Sequence, residues 1–209
     1  MSLFPDFFDV QDFPFFHMLS GKELFSDLLS VFSRFLDAYD FKGIRGTLEN
    51  NVTLKNIEKI EMHSSVFVES GAYICGPCIL SKGCIVRHGA YIRGHVFSGE
   101  NTVIGHCTEV KNSIFLSSAK AAHFAYVADS ILGKNVNLGA GVRCANLRLD
   151  RKTVKIDIGS DFIDSNRVKL GSCFGNNVQV GCNVVLNPGS LIKKGVFIPP
   201  GEVRKGLIS

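Results

Sequence analysis

The feature that most constrains this chain is a six-residue period. Counting from Val68, the positions Ile74, Leu80, Val86, Ile92, Ser98, Ile104 and Val110 stand six apart, and only Ser98 is not aliphatic. Four residues after each comes a second set, Ala72, Cys78, Cys84, Ala90, Val96, Thr102 and Thr108, all small or of modest size. A second array runs Leu132 and Leu138, then Phe174, Val180, Leu186, Ile192 and Ile198, with Gly133, Gly139, Gly175 and Gly181 directly after four of them. Neither a helical repeat nor simple alternation generates a strict six. A chain that turns a corner every six residues does, with one large and one small side chain pointing inward on each side. Three sides close a coil of about eighteen residues, and coils stacked at ~4.8 Å turn each side into a parallel sheet. Glycine at the corners is expected to supply backbone conformations that other residues avoid.

The pattern resembles the hexapeptide-repeat, left-handed parallel β-helix family. The expected fold is therefore mainly β, a left-handed β-helix over residues 42–209, preceded by an N-terminal aromatic arm and amphipathic helix in residues 1–41. Within that head, Leu24, Phe25, Leu28, Leu29, Phe32, Phe35 and Leu36 recur at helical spacing, predicting one helix from Gly21 to Phe41. Phe4 to Phe16 has no period and reads as an extended arm. The head packs on its own body or a sister subunit, or else offers a docking surface to another protein.

Composition narrows the function. A 209-residue chain with 20% charged residues is a globular composition of one to one and a half domains. No apolar run reaches the ~18 residues of a membrane span, and Met1 to Phe16 lacks a signal peptide's basic stretch, so the expected compartment is the cytoplasm. Seven cysteines, an odd number without a secretion signal, point to reduced thiols. The net charge of +4 is too small to announce nucleic acid. It conceals a split: residues 1–41 hold seven acidic and two basic residues, while the body holds 12 acidic and 21 basic. Ten of the 17 phenylalanines also fall in the head.

The period assigns other side chains. Cys75-Gly76-Pro77-Cys78 has the spacing of a thioredoxin-type motif, but no strand–helix context activates it, and Cys78 and Cys84 occupy small inward positions. Residues eighteen apart stack on adjacent coils. His88 and His106 form such a pair, which suits zinc only with a third histidine from a neighbouring chain and otherwise reads as two exposed polar residues. Arg93 and Lys111 form another, either a phosphate site or solvated surface charge.

The hexads fail twice, predicting loops near 112–131 and 147–170. The first break contains Lys120-Ala121-Ala122-His123-Phe124-Ala125-Tyr126-Val127-Ala128-Asp129; the second contains the basic run Asn146 to Lys155. The matching strings are Glu109-Val110-Lys111, His123 with Tyr126 and Asp129, Val136 to Gly141, Asn146-Leu147-Arg148, Lys152 to Lys155 and Lys169-Leu170-Gly171. On these, residues 66–205 resemble the acetyltransferase domain of bifunctional glucosamine-1-phosphate acetyltransferase/nucleotidylyltransferases, most closely the archaeal-type sugar-1-phosphate enzymes.

The resemblance implies an acetyl-CoA-dependent N-acetyltransferase acting on an amino-sugar 1-phosphate, with no metal. His123 matches the catalytic base. Arg93, Lys111, Tyr126, Asn146 and Lys152 match residues that hold the sugar and its phosphate. Ala140 matches a residue whose backbone meets the thioester, and Cys182 and Pro200 match the wall that carries coenzyme A. The resemblance also implies a homotrimer with its cleft between subunits. The family's loop reads Asn-His-Leu-Ser/Thr-Tyr-x-Gly-Asp; here Ala125 lacks the hydroxyl and Ala128 replaces the glycine, which bears on acceptor specificity. The first 41 residues are too few for a nucleotidyltransferase domain, so nucleotidyl transfer is expected from a separate protein. The alternative is a non-enzymatic partner or scaffold for that transferase.

Overall fold

Each coil of the wall closes around its inward residues, and the hexad positions from Val68 to Val110 are all buried. The computed structural model describes residues 4–20 and 23–209. Three parallel sheets of eight strands each form the sides of a prism. The first face includes Val103–His106, Lys120–His123, Asn137–Leu138 and Gln179–Val180. The second includes Tyr91–Ile92, Glu109–Lys111, Tyr126–Ala128 and Arg143–Cys144. The third includes Cys78–Leu80, Ser113–Phe115, Ser172–Phe174 and Ser190–Ile192. Ser98 keeps its inward place because its hydroxyl is satisfied by Thr102 Oγ1 and by Cys84 Sγ at 3.2 Å.

The corners depend less on glycine than expected. Asn101, Asn112, Asn135, Asn177 and Asn183 all adopt positive φ, a role asparagine tolerates among L-residues. The glycines after the large inward residues serve a different end. A Cβ on Gly139 would stand 2.7 Å from the backbone nitrogen of Cys182, so this glycine lets adjacent coils approach.

The loop expected near 112–131 is wall. Strands Ser113–Phe115, Lys120–His123 and Tyr126–Ala128 continue the three faces, with Phe115, Ala121, Val127 and Leu132 buried. The period fails because the corners at Asn112 and Asp129 are each one residue short: Val103 pairs with Lys120, and Lys120 with Asn137. The break at 147–170 is a true excursion. It carries an antiparallel ribbon, Lys155–Asp157 against Phe162–Asp164, before the third face resumes with Ile131 opposite Cys173.

The head's helix spans Phe25–Asp37, shorter than the expected Gly21 to Phe41, and Gly21 lies outside the described residues. The Asp27 carboxylate accepts the Leu24 N–H at 3.0 Å and caps its start. The segment expected as an extended arm is a series of short turns, Phe4–Phe7, Val10–Asp12 and Phe16–Met18. Phe7, Phe13, Phe15, Phe25 and Phe32 are buried in one cluster with the outward residues Ile79, Ile114, Ile131, Cys173 and Leu191 of the third face. Acidic head and basic body meet where Lys193 pairs with Asp6 at 3.2 Å and Lys134 with Asp12. The third face is thus covered. No helix among the described residues is long and apolar enough to cross a membrane.

Candidate active site

Backbone hydrogen bonds place four of the predicted residues on one edge of the prism, between the first and second faces. The N–H after each edge residue donates to the edge residue of the coil before. Phe124 donates to the His106 carbonyl at 2.8 Å, Gly141 to His123 at 3.0 Å, Asn183 to Ala140 at 2.8 Å and Gly201 to Cys182 at 2.8 Å. His123, Ala140, Cys182 and Pro200 therefore stand on successive coils of a single line. The His123 side chain is exposed. Gly139 N–H donates to Val180 at 2.8 Å and Gly141 N–H to His123, which leaves the Ala140 N–H of that turn without a partner among the described residues.

On the second face, beside this edge, Tyr126 stands in register between Glu109 and Arg143. Its hydroxyl meets Asn146 Oδ1 at 3.5 Å, and Asn146 Nδ2 donates to Asp129 Oδ2 at 2.6 Å. Asp129, 3% exposed, also accepts from Asn112 Nδ2 at 2.7 Å, so two amides hold a buried carboxylate that in turn fixes Asn146. Burial, Glu109 and Asp129 raise the Tyr126 phenol above its ordinary value, keeping it a hydrogen-bond donor at neutral pH. Arg93 lies over the Tyr91 ring at 5.7 Å and pairs with Glu109 at 2.7 Å.

Two predicted residues stand apart within one chain. Lys111 occupies the far margin of the second face, opposite Ala128, and lines a cavity at the next corner. Lys152 is exposed on the excursion, its N–H turned to Asp150 Oδ1 at 3.2 Å. The sequence reading missed Glu109 as the partner of Arg93 and Asp129 as the anchor of Asn146. Spacing alone conceals the second pair, because one corner short of a residue and the turn after Cys144 separate the two partners.

The remaining candidates have structural uses. Cys78 and Cys84 are buried and burial pushes both thiols up; it pushes the Cys144 thiol up to about 12. His88 and His106 stack at 5.5 Å, with Nδ1 of each bonded to a backbone carbonyl of the coil before, Ser70 at 2.7 Å and His88 at 3.0 Å. No group of three metal-ligating side chains occurs among the described residues.

Comparison with known proteins adds a lineage. Residues 74–160 match the family model described as the GMPPB C-terminal domain. A bifunctional sugar-1-phosphate nucleotidylyltransferase/acetyltransferase of Sulfurisphaera tokodaii is 36% identical over 80% of this chain and 41% of its own length. The bifunctional protein GlmU of Methanococcus maripaludis is 40% identical over 82% of this chain and 41% of its own. The chain thus spans well under half the length of these relatives. Among solved structures, the UDP-N-acetylglucosamine acyltransferase of Francisella novicida aligns at 13% identity and a TM-score of 0.47, over 77% of this chain and 62% of that one.

Proposed function

For a chain that belongs to the hexapeptide-repeat left-handed β-helix family and is related to bifunctional sugar-1-phosphate nucleotidylyltransferase/acetyltransferases, we propose transfer of an acetyl group from acetyl-CoA to the amine of an amino-sugar 1-phosphate, such as glucosamine 1-phosphate. The observation that carries this reading is the shared edge of His123, Ala140, Cys182 and Pro200. Acetyl-CoA lies along the later coils, past Pro200 and Cys182, with its thioester at the Ala140 turn. A neutral His123 imidazole takes a proton from the acceptor ammonium. The freed nitrogen attacks the thioester carbonyl, and the unpartnered Ala140 N–H meets the developing oxyanion. The adduct nitrogen releases its surplus proton to water, and collapse expels the coenzyme A thiolate, which takes the first proton from the imidazolium.

The acceptor occupies the second face beside this edge, where the Tyr126 hydroxyl, the anchored Asn146 and Arg93 meet the sugar and its phosphate. A homotrimer, with its clefts between copies, brings Lys111 and Lys152 to that phosphate. Two anionic substrates agree with a body carrying 21 basic against 12 acidic residues. We place the activity in the cytoplasm, in synthesis of nucleotide-sugar precursors for the cell envelope.

The test is thiol release from acetyl-CoA in the presence of glucosamine 1-phosphate. His123→Ala should lower turnover by about a hundredfold or more. Unchanged turnover would remove His123 from the role of base. The scaffold reading is favoured by one observation, the Arg93 guanidinium already paired with Glu109. Calorimetry with acetyl-CoA separates the two, since a scaffold that has lost the chemistry shows no binding.

A further inference from the structure

A cavity of about 560 Å³ opens where the head meets the third face. Its floor is the outward column of that face, where Glu61, Ile79 and Phe97 stand in register on three successive coils. Phe35 and Tyr39 form a wall from the end of the head helix and the turn after it, their rings 5.2 Å apart. Phe16, 49% exposed, stands at the rim. Glu100 lines the cavity three residues after Phe97.

Charge is sorted here by sign. Three carboxylates line the cavity, and among the described residues no lysine, arginine or histidine does. Asp12 is consumed by the fold: it pairs with Lys134 and accepts from Asn176 Nδ2 at 3.2 Å. Glu61 spends Oε2 on the Tyr39 hydroxyl at 3.2 Å and on the Lys42 N–H at 2.8 Å. Its Oε1 has no partner among the described residues. The exposed Glu100 carboxylate makes no hydrogen bond or ion pair with any described residue. The ammonium of Lys42 is already paired with Asp40. Between the two available carboxylates run Ile79 and the half-buried rings of Phe35, Tyr39 and Phe97.

Aromatic faces attract organic cations, and carboxylates bind them through charge-assisted hydrogen bonds. A bare metal ion makes no use of the apolar floor, and a neutral ligand makes none of the unpaired carboxylates. Glu61 and Phe97 stand two rungs apart, about 10 Å, and Glu100 lies beyond Phe97. Such an acid–apolar–acid order matches a chain with ammonium groups at its ends and methylenes between. We propose that this cavity binds a linear polyamine, its methylenes over Ile79 and Phe97 and its end ammoniums at Glu61 and Glu100. The site lies across the prism from the edge of His123, which runs between the first and second faces. Head and wall line it together, so a bound polyamine ties one to the other.

In calorimetry on the full chain at low ionic strength, spermidine is expected to bind one site. Glu100→Gln, which removes no contact of the fold, should weaken it about tenfold. Phe97→Leu keeps an apolar floor without the ring and should weaken it about threefold. Glu58→Gln removes an exposed acid outside the cavity and should leave the affinity unchanged. Butylamine, with one charge, should bind at least about tenfold more weakly than spermidine. Mg²⁺, with two charges and no chain, should not displace spermidine at equal concentration. Thermal unfolding confirms that each variant is folded, and spermidine should raise the midpoint of the unaltered chain. The proposal is overturned by no spermidine binding to the unaltered chain, by equal loss in Glu58→Gln and Glu100→Gln, by full affinity in Phe97→Leu, by butylamine binding as tightly, or by displacement with Mg²⁺.

Discussion

The amide of Gly141 donates to the carbonyl of His123 at 3.0 Å, which seats the Ala140 turn directly over the coil that carries the proposed base. Coil stacking thus sets the distance between His123 and the Ala140 turn, and under the proposed function anything that pries those coils apart acts on the chemistry as well as on stability.

Gly105 tests this. A Cβ there would stand 1.8 Å from the Ala122 carbonyl oxygen, against backbone with no freedom to yield. Gly105→Ala is expected to cost about 3 kcal/mol or more in urea unfolding. Gly195→Ala is the control: its φ of +74° is unfavourable, yet nothing lies within 4 Å of the new atom. That variant should lose only about 1–2 kcal/mol. A larger loss at Gly195 than at Gly105 would refute the stacking account.

Thiol chemistry tests the placement of coenzyme A. Cys107 and Cys182 are exposed and half-buried Cys75 is next, while Cys78, Cys84, Cys144 and Cys173 are buried with thiols held high. Iodoacetamide should label Cys107 and Cys182 first. Acetyl-CoA should protect Cys182, on the line of Ala140 and Pro200, and leave Cys107 labelled. Mass spectrometry of the labelled peptides reads both, and equal protection would displace the cofactor from this edge.

Asn112→Ala removes one of the two amides that hold Asp129. Leaving a 3%-exposed carboxylate with a single side-chain donor should cost about 1–3 kcal/mol. Because Asp129 also fixes Asn146, the variant should raise KM for the acceptor more than it lowers kcat. A purely structural role for Asn112 would show the stability loss and no change in KM.

These contacts mark how far the sequence could be read. The six-residue period exposed the prism because each side must bury one large residue, and that requirement repeats without regard to distance in the chain. The same counting misread residues 112–131. A corner that loses one residue shifts every later position, so Val110 to Phe115 and Val127 to Leu132 are five apart although the coil is intact. Within the site, His123, Ala140, Cys182 and Pro200 were found by resemblance, since their separations follow no single period. The bond of Arg167 to Ser30 had no local signal at all, because tertiary packing alone brings a head helix to an excursion.

Phe32→Ala probes the head. Truncating a fully buried phenylalanine should cost about 3–5 kcal/mol. Cys173 lies beneath the head on the third face, whereas Cys78 and Cys84 point into the prism. The variant should therefore make Cys173 reactive and leave Cys78 and Cys84 protected. Simultaneous exposure of all three would mean that head and wall melt as one.

A stack of coils touching only its neighbours is a linear lattice, able to fray one rung at a time from either end. The head's apolar surface spans rungs from Ile79 to Leu191, gripping coils that share no direct contact. It works as a splint, turning separate rungs into one cooperative body, and stiffens the edge of His123 and Ala140 by clamping the opposite side of the prism.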